Sequence, residues 1–168
     1  MRHAVLLTVL ILLLAAGWTA MGDPVDGGVE NLSDSRGLGI GMQVGLPFGG
    51  LLSARYWFTP TFGAEGILFV AGDEWFFEGQ GTGRVLYRAL DAETVDLYLA
   101  GGLTVPFEER DAVVSALAGI EFGFRAAPHV AWNIEFGMTY ALSGEFNMGI
   151  GTGIHVYFTR PVPRDPSD

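Results

Sequence analysis

Apolar side chains alternate with glycine and polar side chains along most of the chain. In the last such run, from Asn147 to Phe158, one face carries Met148, Ile150, Ile154, Val156 and Phe158, and the other carries Asn147, Gly149, Gly151, Gly153, His155 and Tyr157. Successive side chains of a β-strand point to opposite sides, so an alternation of this kind predicts a strand with two different environments.

The same alternation predicts seven more strands before this one. The eight predicted strands are Gly37–Leu46, Leu52–Phe58, Phe62–Val70, Trp75–Arg88, Val95–Val105, Val114–Arg125, Val130–Tyr140 and Asn147–Phe158. Short connections join them, with Pro60 and Pro128 marking turns. An even number of strands in a meander can close antiparallel, which predicts an all-β fold, an eight-stranded antiparallel up-and-down barrel.

The segments outside these strands have different compositions. Residues 1–22 combine Arg2 and His3 with an apolar run and small residues before Asp23, which predicts a cleavable signal peptide. Residues 23–36 are acidic and rich in small residues and are predicted to be a flexible lead-in to a barrel of residues 37–158. Residues 159–168 contain three prolines and are predicted to be a disordered C-terminal tail.

Two features predict that the apolar face points outward. Glycine weakens a solvated strand without benefit, whereas inside a narrow barrel it makes room for neighbouring side chains. The non-apolar face also carries charges of nearly balanced sign, as expected of a paired network in a polar lumen. The predicted lumen network is Arg55, Glu65, Glu78, Arg84, Arg88, Asp96, Glu121, Arg125 and Glu135.

The turn at residues 59–61 predicts two contacts of this network. It places Arg55 directly across from Glu65 on the neighbouring strand. The same counting places Gln43 across from Arg55.

Aromatic residues near the strand ends complete the membrane pattern. Tyr56, Phe62, Tyr87 and Trp132 are examples, and girdles of aromatic side chains at both interfaces are typical of transmembrane barrels. The chain is therefore predicted to be a transmembrane β-barrel of the bacterial outer membrane.

Composition excludes several other classes. The chain has no cysteine, so it has neither disulfides nor a thiolate metal site, and no cofactor is expected. Its formal net charge of −10 disfavours nucleic acid as a partner, because phosphate neutralisation requires clustered basic residues. A hydrophobic content of 49% is high for a soluble protein.

Two segments resemble the small eight-stranded outer-membrane barrels, the class of the outer-membrane protein A transmembrane domain and outer-membrane protein X. The segment from Arg55 to Glu65 resembles the hairpin around the first periplasmic turn of that family. The segment from Gly153 to Phe158 resembles its C-terminal assembly signal. The resemblance implies a monomer in the outer membrane, with membrane lipids and lipopolysaccharide as partners and the barrel assembly machinery as a partner during biogenesis.

The predicted function is a non-enzymatic structural or envelope-maintenance role, with a lumen filled by side chains. One alternative is a secreted soluble β-barrel that binds an apolar ligand. A second alternative, less favoured, is a lipid A-modifying enzyme, which would need serine and histidine facing the membrane near the outer rim. His129 and His155 are predicted at the opposite end of the barrel, with His155 pointing inward.

Overall fold

The computed structural model describes residues 36–72, 77–108 and 111–159, and these residues form eight β-strands. The strands are β1 (Arg36–Leu46), β2 (Gly50–Trp57), β3 (Phe62–Gly72), β4 (Phe77–Asp91), β5 (Val95–Pro106), β6 (Val113–Phe124), β7 (Ala127–Ala141) and β8 (Phe146–Thr159). Each strand pairs with the next, and β1 pairs antiparallel with β8 to close the sheet. The prediction of an all-β, eight-stranded antiparallel up-and-down barrel is confirmed.

The described residues contain no helix that is long and apolar enough to cross a membrane. The predicted signal peptide, most of the predicted lead-in and residues 160–168 of the predicted tail lie outside the described residues, as does Trp75.

The two ends of the barrel are distinguished by the strand connections that lie there and by the meeting of the first and last strands. At the end called here the terminal end, Arg36 of β1 pairs with Thr159 of β8, and residues 58–61, 92–94 and 125–126 connect consecutive strands. At the opposite end, called here the loop end, residues 47–49 connect β1 to β2 and residues 142–145 connect β7 to β8. Both sets of connections are short, as predicted.

Several strand boundaries differ from the prediction. Arg36, assigned to the lead-in, begins β1, and Thr159, assigned to the tail, ends β8. Pro128 does not mark the turn but is the second residue of β7, near a strand start, where its missing N–H is tolerated. The turn itself lies at residues 125–126, where the register between β6 and β7 shifts after Gly123.

The outward face of the barrel is apolar. Large apolar side chains on every strand are exposed, and the most exposed are Leu46 (73%), Phe146 (70%) and Met148 (69%). A soluble domain rarely leaves a continuous apolar surface of this extent, because burying such surface in an apolar environment is favourable. The apolar faces of the strands thus point outward all around the barrel.

Aromatic side chains form pairs on this outer surface near both ends. Near the terminal end, the ring centroids of Phe62 and Tyr87 are 5.3 Å apart. Near the loop end, those of Tyr140 and Phe146 are 4.6 Å apart. The cross-strand registers Phe62↔Tyr87 and Tyr140↔Phe146 bring these rings together.

Candidate functional site

The side chains on the inward face of each strand fill the barrel interior. In the described part of the chain, the buried charged side chains comprise four arginines and four carboxylates: Arg36, Arg55, Arg84, Arg88, Glu65, Asp96, Glu121 and Glu135. Isolated buried charges are strongly unfavourable, so each needs partners of opposite sign or hydrogen bonds. The contacts of these groups define the candidate site.

Arg84 bridges two carboxylates at the centre of the lumen. Its Nη1 and Nη2 donate to Oε2 and Oε1 of Glu135 at 2.6 and 3.0 Å, which is the bidentate geometry of the strongest guanidinium–carboxylate pairs. Its Nη2 also lies 2.6 Å from Oε2 of Glu65. Because β4 carries Arg84 and β7 carries Glu135, this pair joins opposite walls of the barrel.

A second cation joins the centre to a third carboxylate. Arg55 donates to Glu65 at 3.0 Å and to Glu121 at 2.5 Å. Glu65 is the cross-strand neighbour of Arg55, as the turn at residues 59–61 predicted. The other predicted contact is wrong: Arg55 lies opposite Gly39, four residues from Gln43, whereas Gln43 lies opposite Gly50 and its side chain donates to Glu135 at 3.0 Å.

Neutral polar side chains add further hydrogen bonds at the centre. The Tyr98 hydroxyl donates to Oε1 of Glu135 at 2.5 Å and accepts from Nδ2 of Asn133 at 2.9 Å. Glu135 thus accepts two hydrogen bonds from Arg84 on β4, one from Gln43 on β1 and one from Tyr98 on β5. A network held from several strands is rigid because no member can move without losing a buried hydrogen bond.

Inward-facing glycines make room for the large side chains of the interior. A Cβ atom added to Gly119 would lie 2.3 Å from the ring of Tyr98, and one added to Gly39 would lie 2.6 Å from that of Tyr157. Such distances are far below van der Waals contact. These positions are therefore glycine for lack of space, which is the role predicted for glycines on the inner face.

The loop end of the lumen is closed by Phe48. The connection between β1 and β2 turns inward, so that Phe48 is completely buried and its ring lies 5.2 Å from the guanidinium carbon of Arg84. Gln80 holds the connection by donating to the carbonyls of Pro47 and Gly49 at 2.8 and 2.9 Å. The ring therefore packs directly against the charged centre of the lumen.

At the terminal end, two further arginines lie over aromatic rings. The guanidinium carbon of Arg88 is 4.1 Å from the ring centroid of Trp57, and that of Arg36 is 5.2 Å from the ring centroid of Tyr157. Both distances are within the range of cation–π attraction. Arg36 also donates to Glu121 at 2.8 Å, which ties the start of β1 to the opposite wall.

Ser53, His155 and Glu65 meet in the interior but not as a catalytic triad. Nε2 of His155 lies 2.9 Å from Oγ of Ser53 and 3.1 Å from Oε1 of Glu65, while Ser53 donates to that same carboxylate oxygen at 2.5 Å. A triad needs the acid on one ring nitrogen and the nucleophile on the other. Here both contact Nε2, and all three side chains are enclosed, so the cluster is part of the buried network.

Seven of the nine predicted lumen residues are buried in the interior: Arg55, Glu65, Arg84, Arg88, Asp96, Glu121 and Glu135. Glu78 is half-buried on β4 toward the loop end. Arg125 is a correction, because it lies in the exposed turn after β6 and its Nη2 pairs at 2.9 Å with Glu93, another exposed residue. The prediction extended strand six to Arg125, whereas β6 ends at Phe124.

Arg36 and the neutral members of the network are not among the residues predicted for the lumen. Gln43, Tyr98, Asn133 and His155 all lie on the predicted inner face, so the alternation predicts their direction, but it does not distinguish neutral side chains that join the network from those that only fill space. Arg36 was missed because it precedes the first alternating residues, and its register is irregular up to Gly39.

Among the residues that the structure describes, no group of histidine, aspartate and glutamate side chains could hold a metal ion. The chain matches no protein-family model and no curated protein.

Proposed function

We propose that the protein spans a bacterial outer membrane as a monomeric β-barrel with a structural or envelope-maintenance role and without enzymatic activity. Its relatives under this proposal are the small outer-membrane barrels that the segments Arg55 to Glu65 and Gly153 to Phe158 resemble. Membrane lipids and lipopolysaccharide are then its surroundings, and the barrel assembly machinery inserts it.

The observation that carries the proposal is the inverted distribution of side chains. Leu46, Phe146 and Met148 point outward, while buried ion pairs such as Arg84 with Glu135 fill the interior. In a bilayer, lipid covers the apolar face and the closed ladder satisfies every strand edge, which are the requirements for a spanning sheet. The strands contain 8 to 15 residues, and about 9 to 11 tilted residues cross the hydrocarbon core.

The side chains of the interior also argue against the two alternative functions, a soluble ligand-binding barrel and a lipid A-modifying enzyme. A soluble barrel that binds an apolar ligand needs an apolar cavity, whereas the centre of this lumen holds Arg55, Arg84 and three glutamates. An enzyme that modifies lipid A needs catalytic side chains facing the membrane, whereas His155 and Ser53 are enclosed in the interior. Both alternatives therefore have less support than a closed structural barrel.

Cell fractionation combined with gel migration tests the proposal. We expect the protein exclusively in the outer-membrane fraction, with faster migration before heating than after, because a closed barrel resists the detergent until heated. A second measurement uses planar bilayers, in which the refolded protein is expected to give no steady conductance. A freely soluble monomer in the periplasmic fraction would overturn the proposal.

A further inference from the structure

The wall of the barrel contains a notch at the loop end, where β2 is shorter than its two neighbours. β2 has 8 residues and begins at Gly50. Within the described residues, the pairing of β1 with β2 ends at Gln43↔Gly50, and residues 44–46 pair with β8 alone. On the other side of β2, residues 69–72 of β3 pair with β4 alone. A strand rises about 3.3 Å per residue, so β1 extends about 10 Å beyond the start of β2.

The connection between β1 and β2 leaves the outer side of this notch open. Pro47 has no N–H group and cannot continue the ladder of β1, and Phe48 turns into the lumen. The backbone N–H of Gly49 donates to the carbonyl of Gly45 at 3.2 Å, and Gln80 holds the connection from the inner side. The connection therefore folds inward instead of across the rim between β1 and β3.

Residues from both faces of the sheet line the notch, which has a volume of about 370 Å³. The outward side chains of Val44, Leu46 and Leu51 surround its mouth and are 57%, 73% and 43% exposed. Phe69 and Gln80 lie at its inner end, where they are cross-strand neighbours on the inward face. The notch thus leads from the apolar outer surface to the inner face of the sheet.

The lining of the notch fits an apolar chain. Pockets for small ligands are typically 300 to 1,000 Å³ and mostly apolar, and no charged side chain lines this one. The side-chain nitrogen of Gln80 and the carbonyl of Gly45 already have partners. A peptide strand added here would need free backbone groups along both edges, and the bond from Gly49 occupies one of them.

The mouth of the notch is continuous with the outward apolar face of the barrel, which lipid covers under the proposed function. We propose that the notch binds one acyl chain of a membrane lipid, which enters sideways from the bilayer between β1 and β3. This inference rests on the proposed membrane location. It adds a defined lipid site to a surface that otherwise contacts lipid without selection.

Photo-crosslinking tests the site on three residues of β3. The protein is refolded into phosphatidylcholine vesicles that contain a small share of the same lipid with a diazirine in the middle of one acyl chain. Val70 faces outward, is 44% exposed and reports contact with the bilayer, whereas Ile67 faces inward and is 3% exposed. Phe69 faces inward but lines the notch. We expect labelling at Val70 and at Phe69, severalfold above that at Ile67.

Three variants separate the notch from the rest of the outer surface. Leu51→Trp fills the mouth and should lower labelling of Phe69 severalfold without changing that of Val70. Leu51→Ala keeps the mouth open and should retain the labelling of Phe69. Val105→Trp is the matched control, because it adds the same ring to an outward position on β5 at the same end. Gel migration before heating verifies that each variant forms the closed barrel.

The outcomes distinguish this site from the proposed function. Labelling of Phe69 no higher than that of Ile67, with Val70 labelled, would overturn the site and leave the membrane location standing. Absence of labelling at Val70 would overturn both. Labelling of Phe69 by a diazirine fatty acid but not by the phospholipid would mean that free fatty acid, rather than membrane lipid, is the ligand. Equal effects of Leu51→Trp and Val105→Trp on Phe69 would also contradict the assignment.

Discussion

Replacing Arg84 with methionine removes the cation that bridges two carboxylates across the barrel. Arg84 makes four hydrogen bonds of 2.6 to 3.1 Å, two to Glu65 and two to Glu135, and its side chain is fully buried. Breaking a buried ion pair by removing one partner leaves an uncompensated charge and costs about 3 to 5 kcal/mol. We expect Arg84→Met to lower the free energy of unfolding by that amount.

A double-mutant cycle separates the pair from the other effects of each substitution. Glu135→Gln alone should cost less, about 1 to 3 kcal/mol, because Arg84 keeps Glu65 as a partner. In the protein that already carries Glu135→Gln, Arg84→Met should be milder by a coupling energy of about 1 to 3 kcal/mol. The matched control is the exposed pair of Arg125 and Glu93, for which about 0.2 to 1 kcal/mol is expected.

The assay is urea unfolding of protein refolded into lipid vesicles, with the four stabilities compared at equal denaturant slopes. Equal slopes matter, because a changed slope would mean that a variant alters the compactness of one of the states. A coupling energy for Arg84 with Glu135 no larger than that of the exposed pair would refute the bridge across the lumen. It would also remove the main support for a rigid, closed interior.

Two further predictions concern single positions. Ile134→Arg, on the outward face of β7, should cost about 2 to 4 kcal/mol in the same urea assay if the proposed membrane location is right, whereas Thr139→Ser on its inner face should cost less than about 1 kcal/mol. Equal costs would refute the proposal that the outward face contacts lipid. Gly119→Ala should cost about 1 to 3 kcal/mol because its Cβ would overlap Tyr98, whereas Gly83→Ala, which has open space, should be neutral or slightly stabilising; matching thermal shifts would show that space is not the reason for Gly119.

The fold could be predicted because its signal is local and repeated. Alternation of apolar and polar residues predicts each strand. The turn at residues 59–61 sets the register of one hairpin, so Arg55 lies opposite Glu65 as predicted. The prediction of Gln43 opposite Arg55 failed because β1 and β2 pair in a different register: Arg55 lies opposite Gly39, four residues from Gln43. A displacement by an even number of residues keeps every side chain on the same face, so the alternation does not reveal it.

Contacts across the lumen could not be predicted from alternation. Parity assigns Arg84 and Glu135 to the interior, but the tilt and stagger of the closed sheet decide which residues of opposite walls meet. These quantities depend on all eight strands at once. The same limit explains why Arg36, outside the periodic segment, was not recognised as a partner of Glu121.

The observed network is more nearly balanced in charge than the predicted one. The predicted set contains five acids and four bases. In the described residues Arg125 is exposed, Glu78 is only half-buried, and Arg36 joins the interior. The buried set therefore contains four carboxylates and four arginines. The buried arginines and carboxylates therefore balance in number, and a balanced set produces little field along the axis of the barrel. Combined with the ring of Phe48 at the loop end, this balance favours a barrel stabilised by its interior over one that conducts through it.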